Sequence, residues 1–286
     1  MGSLWQMEIY GPTSGSLQVL SSSTKILRDF STAVFMSNTP KLVTKVSESS
    51  IHKQIIALQD LLMKTALDSM FKVGFGFDLD TLSGSDEVSN RFIKAFDESN
   101  CIIFWRYVDP LWRLKRYLNI GKEAALKTNI RVIDNFVYEL IEHKREQMKN
   151  GKLDDGNCSK KDDILPDGFK IKKGDEASYM AYPMGRMPYI WGEDAEEFWP
   201  ERWLHDGVFR PESPFKFTAF QGGPRICLGK EFAYRQMKIM AAFLVFFFKF
   251  ELADKGKEAT YKTMLTLHMD NGLHLYAFPH VPAYFK

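Results

Sequence analysis

One short stretch of this sequence combines residue types that can do chemistry: Phe220-Gln-Gly-Gly-Pro-Arg-Ile-Cys-Leu-Gly229. Two glycines and a proline precede a cysteine, a third glycine follows, and a helix-favouring apolar stretch begins at Lys230. Such a loop holds a sulfur in the open just ahead of a helix N-terminus. That end carries roughly half an elementary positive charge, a setting that suits an anionic sulfur ligand. Glycine lets the backbone come close to something flat or bulky. Arg225, two residues before Cys227, can pair with a carboxylate on a bound ligand. For an isolated cysteine the ordinary reading is different: a buried structural thiol in a tight turn.

Other residues with reactive or ligating side chains carry less. His268 and His274 bracket Asn271-Gly272. A two-residue hairpin there pairs His268 with Leu275 and His274 with Met269, which points the imidazoles to opposite faces and disfavours a zinc dyad. They read as solvated histidines. His52, His143, His205 and His280 show no metal-ligand spacing. Cys101 reads as a packing residue and Cys158 as a loop thiol. With Cys227 they form no C-x-x-C and no disulfide framework, so a reducing, intracellular compartment is expected.

The elements that must position these groups are mostly helices. Residues 1–22 show turn punctuation and no period, so no element is assigned to them. Thr39-Pro40 reads as a helix start, cap then proline. A helix follows over about 51–73, with Ile55, Leu58, Leu62, Ala66 and Met70 as its stripe and Gly74 as its stop. The loop GFGFDLDTLSGS leads to a helix over 86–97. An aromatic patch over 102–112 breaks at Asp109-Pro110, and a long helix covers about 123–149. Residues 151–163 are a polar linker. Beyond it, Pro166-Asp167-Gly168 is a turn and Phe169–Lys172 alternates as a short strand. The stretch 184–203 is loop-rich, and a helix spans about 230–250 with Phe243–Phe250 as its core face. Asn271-Gly272 between two alternating segments is a strong hairpin signal.

The composition narrows the class. The chain has 286 residues, 45% of them apolar and 14% aromatic, enough for a sizeable core. Thirty-eight basic against 36 acidic residues give a net charge of +2, which argues against a nucleic-acid binder. The longest apolar run, Ile239–Phe248, is about half of what crosses a bilayer, and no signal segment opens the chain. A soluble or peripherally attached protein is expected.

The full loop pattern, F-x-x-G-x-R-x-C-x-G, resembles the haem-binding loop of the cytochrome P-450 monooxygenases. Phe220, Gly223, Arg225, Cys227 and Gly229 occupy all five of its fixed positions. The resemblance implies that these residues bind the cofactor, with Cys227 the axial thiolate of haem b iron, Arg225 on a haem propionate and Phe220 packed beside the sulfur. Phe198-Trp-Pro-Glu-Arg-Trp203 resembles the family's PERF-type segment, in which Arg202 joins a buried Glu-Arg network. Met184–Met187, Trp191–Ala195, Leu58–Gly76 and Trp105–Gly121 resemble the plant long-chain fatty-acid ω-hydroxylase clan. The resemblance runs from about residue 23 to the C-terminus. It implies a mainly α fold with small β elements: a divergent segment 1–22, a helical part 23–165 and a haem-binding part 166–286 of one domain. It also implies dioxygen chemistry on a long-chain fatty acid, NADPH electrons from NADPH–cytochrome P-450 reductase, no nucleic-acid partner, and the surface of the endoplasmic reticulum. With no membrane anchor in the chain, the cytoplasm is the alternative location.

The pattern also breaks. Two helices of the family find no counterpart between Asp162 and Asp167, where DDIL runs straight into PDGF. One carries a kinked acid–alcohol pair that relays protons; the other carries the E-x-x-R partners of Arg202. The anchor and the W-x-x-x-R helix are missing too. Imitations occur at Glu142–Arg145, Trp112–Arg116 and Asp80-Thr81, but each sits in the wrong surroundings. The expectations are therefore an incomplete fold, Arg202 as a buried unpaired charge, weak haem retention and no catalytic residue that can be named. A non-catalytic homologue that binds haem weakly or not at all is the first rival. A thiol-based binding protein without haem is the second.

Overall fold

The computed structural model describes residues 14–84, 87–145, 162–164, 168–172, 179–223, 226–262 and 267–280. The chain divides into two compact units, Met1–Met148 with Phe232–Lys286, and Lys149–Glu231. Helices dominate, with small antiparallel strand pairs between them, the mainly α architecture expected.

In the first unit, helix α1 (Ser14–Ile51) is followed by strand β1 (Ile56–Ala57) and α2 (Leu58–Phe75). Helix α1 starts well inside the segment left without an element, and Pro40 lies within it rather than at its start. A proline costs a helix interior about 3 kcal/mol. Here a continuous buried row, Ser31, Phe35, Asn38, Leu42, Val46 and Ser50, holds the helix through it. Burying three side chains of Val, Leu or Phe size contributes more than that, at about 1.5–3 kcal/mol each.

Helix α2 ends at Gly76, not Gly74. The residue adopts φ 72° and its N–H donates to the Lys72 carbonyl at 3.0 Å, while the Phe77 N–H donates to the Phe71 carbonyl at 3.4 Å, the left-handed cap that glycine makes without strain. The stripe of α2 also differs from the sequence reading: Ile55 and Met70 are exposed, whereas Leu58, Thr65, Asp68, Ser69 and Phe71 are buried. The apolar period misled because this face is half polar and satisfies itself. Asn38 Nδ2 donates to Ser69 Oγ at 3.1 Å, and Gln236 Nε2 donates to the Thr65 carbonyl at 3.4 Å.

Asp68 anchors the loop that follows α2. Its Oδ1 accepts from the Thr81 hydroxyl at 2.7 Å and the Thr81 N–H at 3.0 Å, while Oδ2 is buried without a partner. Thr81 is thus part of a structural clamp, and Asp80 pairs with Lys41 at 3.3 Å. Burial pushes the Asp68 carboxyl above the usual carboxylate range, against the Thr81 bonds, which favour its ionised form. A carboxyl whose folded-state pKa is raised stabilises most when protonated, and that contribution is lost as pH rises through the folded value. Asp68→Asn keeps an acceptor for Thr81 and removes the charge. Its melting temperature should exceed that of the wild type at mildly alkaline pH, and the gap should close in acid. A lower melting temperature at alkaline pH would show that the ionised carboxylate is the stabilising form.

Helix α3 (Glu87–Trp105) absorbs half of the aromatic patch, short α4 (Trp112–Leu118) follows it, and α5 (Gly121–Arg145) packs back along α3. Phe71, Leu79, Phe92 and Phe136 form one core cluster, with the Phe92 and Phe136 rings stacked at 4.3 Å. Arg106 clasps Glu123 through two hydrogen bonds, Nε to Oε1 at 2.9 Å and Nη2 to Oε2 at 2.8 Å.

Helix α8 (Lys230–Phe247) buries a single row, Gln236, Met240 and Leu244, which Phe248 continues. Val245, Phe246 and Phe247 are exposed, so the expected core face of aromatic residues is not one. The helix also stops short of Phe250. Phe248–Leu252 instead forms a strand, numbered β6 in chain order, which pairs with the last strand, β9 (His274–Pro279). On its other edge β9 takes β1, with Ile56 opposite Leu275. Leu42, Val46, Leu58, Met240, Leu244 and Leu275 close the second core cluster around this sheet.

That sheet explains why the hairpin does not form. Asn271 and Gly272 have the positive φ values of the favoured two-residue turn, 64° and 71°. Yet both edges of β9 are already taken, so β8 (His268–Met269) pairs with β7 (Tyr261–Lys262) instead. The argument that placed His268 and His274 on opposite faces of one ladder fails with it.

In the second unit, β2 (Asp163–Ile164) pairs with β3 (Lys170–Ile171), the latter falling in the strand expected over Phe169–Lys172. Short helices α6 (Ala181–Met184) and α7 (Pro188–Trp191), two 3-10 turns (Pro200–Trp203 and Thr218–Phe220) and the β4–β5 pair (Leu204–His205 with Val208–Phe209) follow. No described residue between 162 and 231 is fully buried. Trp203 gathers what packing there is, edge-on to Phe217 at 5.1 Å and beside Trp191 at 5.9 Å.

Candidate functional site

Cys227 lies three residues before the first residue of α8 and is solvent-exposed, a free thiol. The loop that presents it is closed by backbone hydrogen bonds. The Cys227 N–H donates to the Phe220 carbonyl at 2.8 Å, and the Ile226 N–H to the Gly223 carbonyl at 3.1 Å. The Lys230 N–H in turn donates to the Cys227 carbonyl at 3.2 Å, which ties the loop to the start of the helix.

Backbone conformation at one point of this turn and a close approach at another favour glycine. Gly223 sits at φ 68°, in the left-handed region. A Cβ on Gly222 would come within 3.3 Å of the Phe215 ring. Gly229 is less constrained, since a Cβ there would meet the Cys227 sulfur at 3.7 Å, an ordinary contact. Phe220 ends a 3-10 turn, half-buried, and its carbonyl closes the loop. Arg225 lies outside the described residues. The structure therefore brings Phe220, Gly223, Cys227 and Gly229 into one turn.

Beside the sulfur, Ile226 is 39% exposed and Leu228 fully so. A soft, accessible thiol flanked by bare aliphatic side chains can ligate a metal carried on a flat apolar ligand. Among the described residues no group of three or more His, Cys, Asp or Glu side chains is placed to hold a metal ion by itself.

Arg202 overturns an expectation. Its side chain is largely buried, but it is not an orphan charge. It pairs with the Asp194 carboxylate at 3.4 Å and donates to the carbonyls of Asp194 at 2.7 Å and Glu197 at 3.3 Å. The sequence reading missed Asp194, although Trp191-Gly-Glu-Asp-Ala195 precedes the arginine by one short loop. A tightly turned loop supplies both a carboxylate and spare carbonyls. A cavity of about 610 Å³ opens beside this cluster, lined by Trp191, Trp199, Glu201 and Lys216 among others.

The imitations resolve as structure. Asp80-Thr81 is the clamp on Asp68, Trp112–Arg116 lies on α4, and Glu142–Arg145 falls in the last turn of α5. Cys101 is half-buried on α3, whereas Cys158 lies outside the described residues. Among the described residues no helix is long and apolar enough to cross a membrane.

Comparison with known proteins places this loop in context. A family model described as Cytochrome P450 matches residues 157–276. Cytochrome P450 704C1 of Pinus taeda is 34% identical over 381 residues, an alignment covering 90% of this chain and 73% of the relative. Cytochrome P450 704B1 of Arabidopsis thaliana is 31% identical, with 88% and 74% covered, and 86B1 of the same plant is 30% identical, with 82% and 62% covered. The first of these alignments exceeds the 286 residues of this chain by 95. At least that many positions of the relative therefore have no counterpart here, inside the aligned span.

Proposed function

Because the chain belongs to the cytochrome P450 family, we propose that its Cys227 loop holds haem b and that its ancestral reaction is the hydroxylation of a long-chain fatty acid. Cys227 would be the axial ligand, Arg225 the partner of a haem propionate, and Phe220, Gly223 and Gly229 the cradle of the sulfur. The observation that carries this reading is the exposed Cys227 thiol, fixed by the Phe220 and Lys230 backbone bonds between two bare aliphatic side chains.

Haem, when bound, supplies dioxygen binding and activation, and the thiolate supplies electron density to that chemistry. The overall conversion takes a C–H bond, dioxygen, NADPH and a proton to an alcohol, water and NADP⁺. Electrons would come from NADPH–cytochrome P450 reductase. The substrate class rests on the Leu58–Gly76 and Trp105–Gly121 segments and their likeness to plant ω-hydroxylases. The endoplasmic reticulum surface is the matching location.

A second reading, a family member that holds haem weakly and does not turn over, is favoured by the 95 or more unmatched positions. It is favoured too by the described part of Lys149–Glu231, which has no fully buried residue to keep water from a bound cofactor. The Asp194 pair removes one argument for this reading, since Arg202 no longer weakens the fold.

Reconstitution with haem tests the proposal. Carbon monoxide added to the reduced protein should give the strongly red-shifted Soret band of a thiolate complex. No uptake would overturn it in favour of the thiol-only alternative, and a histidine-type spectrum would overturn Cys227 as the ligand. Arg225→Ala should lower haem affinity by roughly one to two decades, the equivalent of a charge-assisted hydrogen bond of about 1.5–3 kcal/mol, and leave the band position alone. Unchanged affinity would mean that Arg225 holds no propionate.

A further inference from the structure

A cavity of about 320 Å³ lies between α2, α3 and the turn that joins β8 to β9. Its walls are apolar: Met63 and Leu67 from α2, Phe92, Ile93 and Phe96 from α3. That is the size and lining of a small-molecule site. Its polar lining includes Asp97, His268 and His274. The failed hairpin matters here, because it is the divergence of β8 from β9 that lets both imidazoles line one space.

These three side chains have hydrogen-bonding capacity to spare. Among the described residues, none of them makes a side-chain hydrogen bond or an ion pair. Three polar neighbours on the rim are committed. Asp60 pairs with Lys64 at 2.9 Å. Gln59 is held by the backbone of Met269, accepting from its N–H at 3.1 Å and donating to its carbonyl at 3.4 Å. Burial raises the Asp97 carboxyl above its ordinary range, and the His268 charge opposes that rise. An acceptor without a donor, set against apolar walls, gains most from a ligand that brings its own N–H.

We propose that this cavity binds a small apolar molecule ending in a protonated amine, its ammonium held by the Asp97 carboxylate. An ammonium brings three N–H donors, and a carboxylate accepts through two oxygens. The bond to Asp97 is charge-assisted, the stronger class. The alkyl part lies along Met63, Leu67 and Phe92, and each methylene it buries strengthens binding roughly fourfold. The site stands on residues of the first unit alone and does not depend on the thiolate reading of Cys227.

The test uses the full chain with isotope-labelled methionine methyl groups. Octylamine, octan-1-ol and octanoate are titrated at neutral pH while the Met63 resonance is followed. Octylamine should shift it saturably and bind roughly tenfold more tightly than the alcohol, with octanoate weakest. Asp97→Asn, which keeps the side-chain shape, should bring the amine down to the affinity of the alcohol and leave the alcohol within about twofold. Cys227→Ser should leave amine binding intact. Octanoate binding as tightly as octylamine would overturn the proposal, as would indifference to Asp97→Asn. Loss of the amine signal in Cys227→Ser would place the amine on a haem iron instead.

Discussion

Serine at position 227 should abolish the thiolate spectrum entirely while leaving the fold untouched. A thiolate is soft, polarisable and anionic; a serine hydroxyl at neutral pH is hard and uncharged, and it does not replace sulfur on haem iron. The substitution is also structurally mild. Cys227 is exposed, and the bonds that shape its loop come from its backbone, to the Phe220 carbonyl and from the Lys230 N–H. Surface changes of this kind usually stay within about 0.5 kcal/mol. The reduced, carbon monoxide-treated Cys227→Ser protein should therefore lack the red-shifted Soret band, with an unaltered melting curve. A surviving thiolate band would move the ligand to another cysteine. Cys101 is the described alternative, half-buried on α3 and far from any glycine-rich turn in sequence. That outcome would sink the assignment of the loop.

The shape of the Cys227 turn was legible because it is written in consecutive residues. Gly222, Gly223, Cys227 and Gly229 act through backbone geometry, and backbone geometry is what local sequence encodes best. Arg202 was not, because its partner is a matter of loop curvature: Asp194 and the Glu197 carbonyl reach it only once residues 191–202 turn back. The histidines failed for a topological reason. The Asn271-Gly272 turn formed as its residues dictate, but strand pairing is a competition, and β1 and β6 had already claimed both edges of β9. Pro40 was outvoted by burial, since a helix that hides Phe35, Leu42 and Val46 tolerates one missing N–H. The apolar period on α2 pointed to Ile55 and Met70, whereas the buried face carries Thr65, Asp68 and Ser69, whose value lies in partners that no periodicity counts. Helix content and the cysteine loop were thus open to reading; sheet pairing and buried polar contacts were not.

The exposed faces of α8 bear on activity. Val245 is 70% and Phe246 55% exposed on a helix that buries only one row. Large apolar side chains left bare in this way mark a surface that normally has a partner. The 95 or more positions of the pine relative that have no counterpart here are of the right order to supply two or three helices of average length with their loops. The packing of α8 and the alignment thus point the same way, toward a block of fold that this chain does without.

With a plant reductase, NADPH and palmitic or oleic acid, the 286-residue chain is expected to form no hydroxy acid above background. Cleaving the bond of dioxygen draws on two contributions from the protein: electron density from a thiolate, and protons delivered in order to a defined oxygen atom. Cys227 can provide the first. For the second, Asp80-Thr81 is spent on other work, with Thr81 donating to Asp68 and Asp80 paired to Lys41. Positioned proton transfer typically contributes about 10²–10⁴-fold to a rate, so its loss alone would carry turnover below detection. Arg202 is paired and both core clusters of the first unit are closed, so the expectation rests on chemistry and not on an orphan charge. The measurement is product analysis by mass spectrometry, with Cys227→Ser and a reaction lacking reductase as blanks. Hydroxy acid that requires both Cys227 and the reductase would overturn the expectation. It would also require that a residue of this chain, outside the relay of its relatives, delivers the proton.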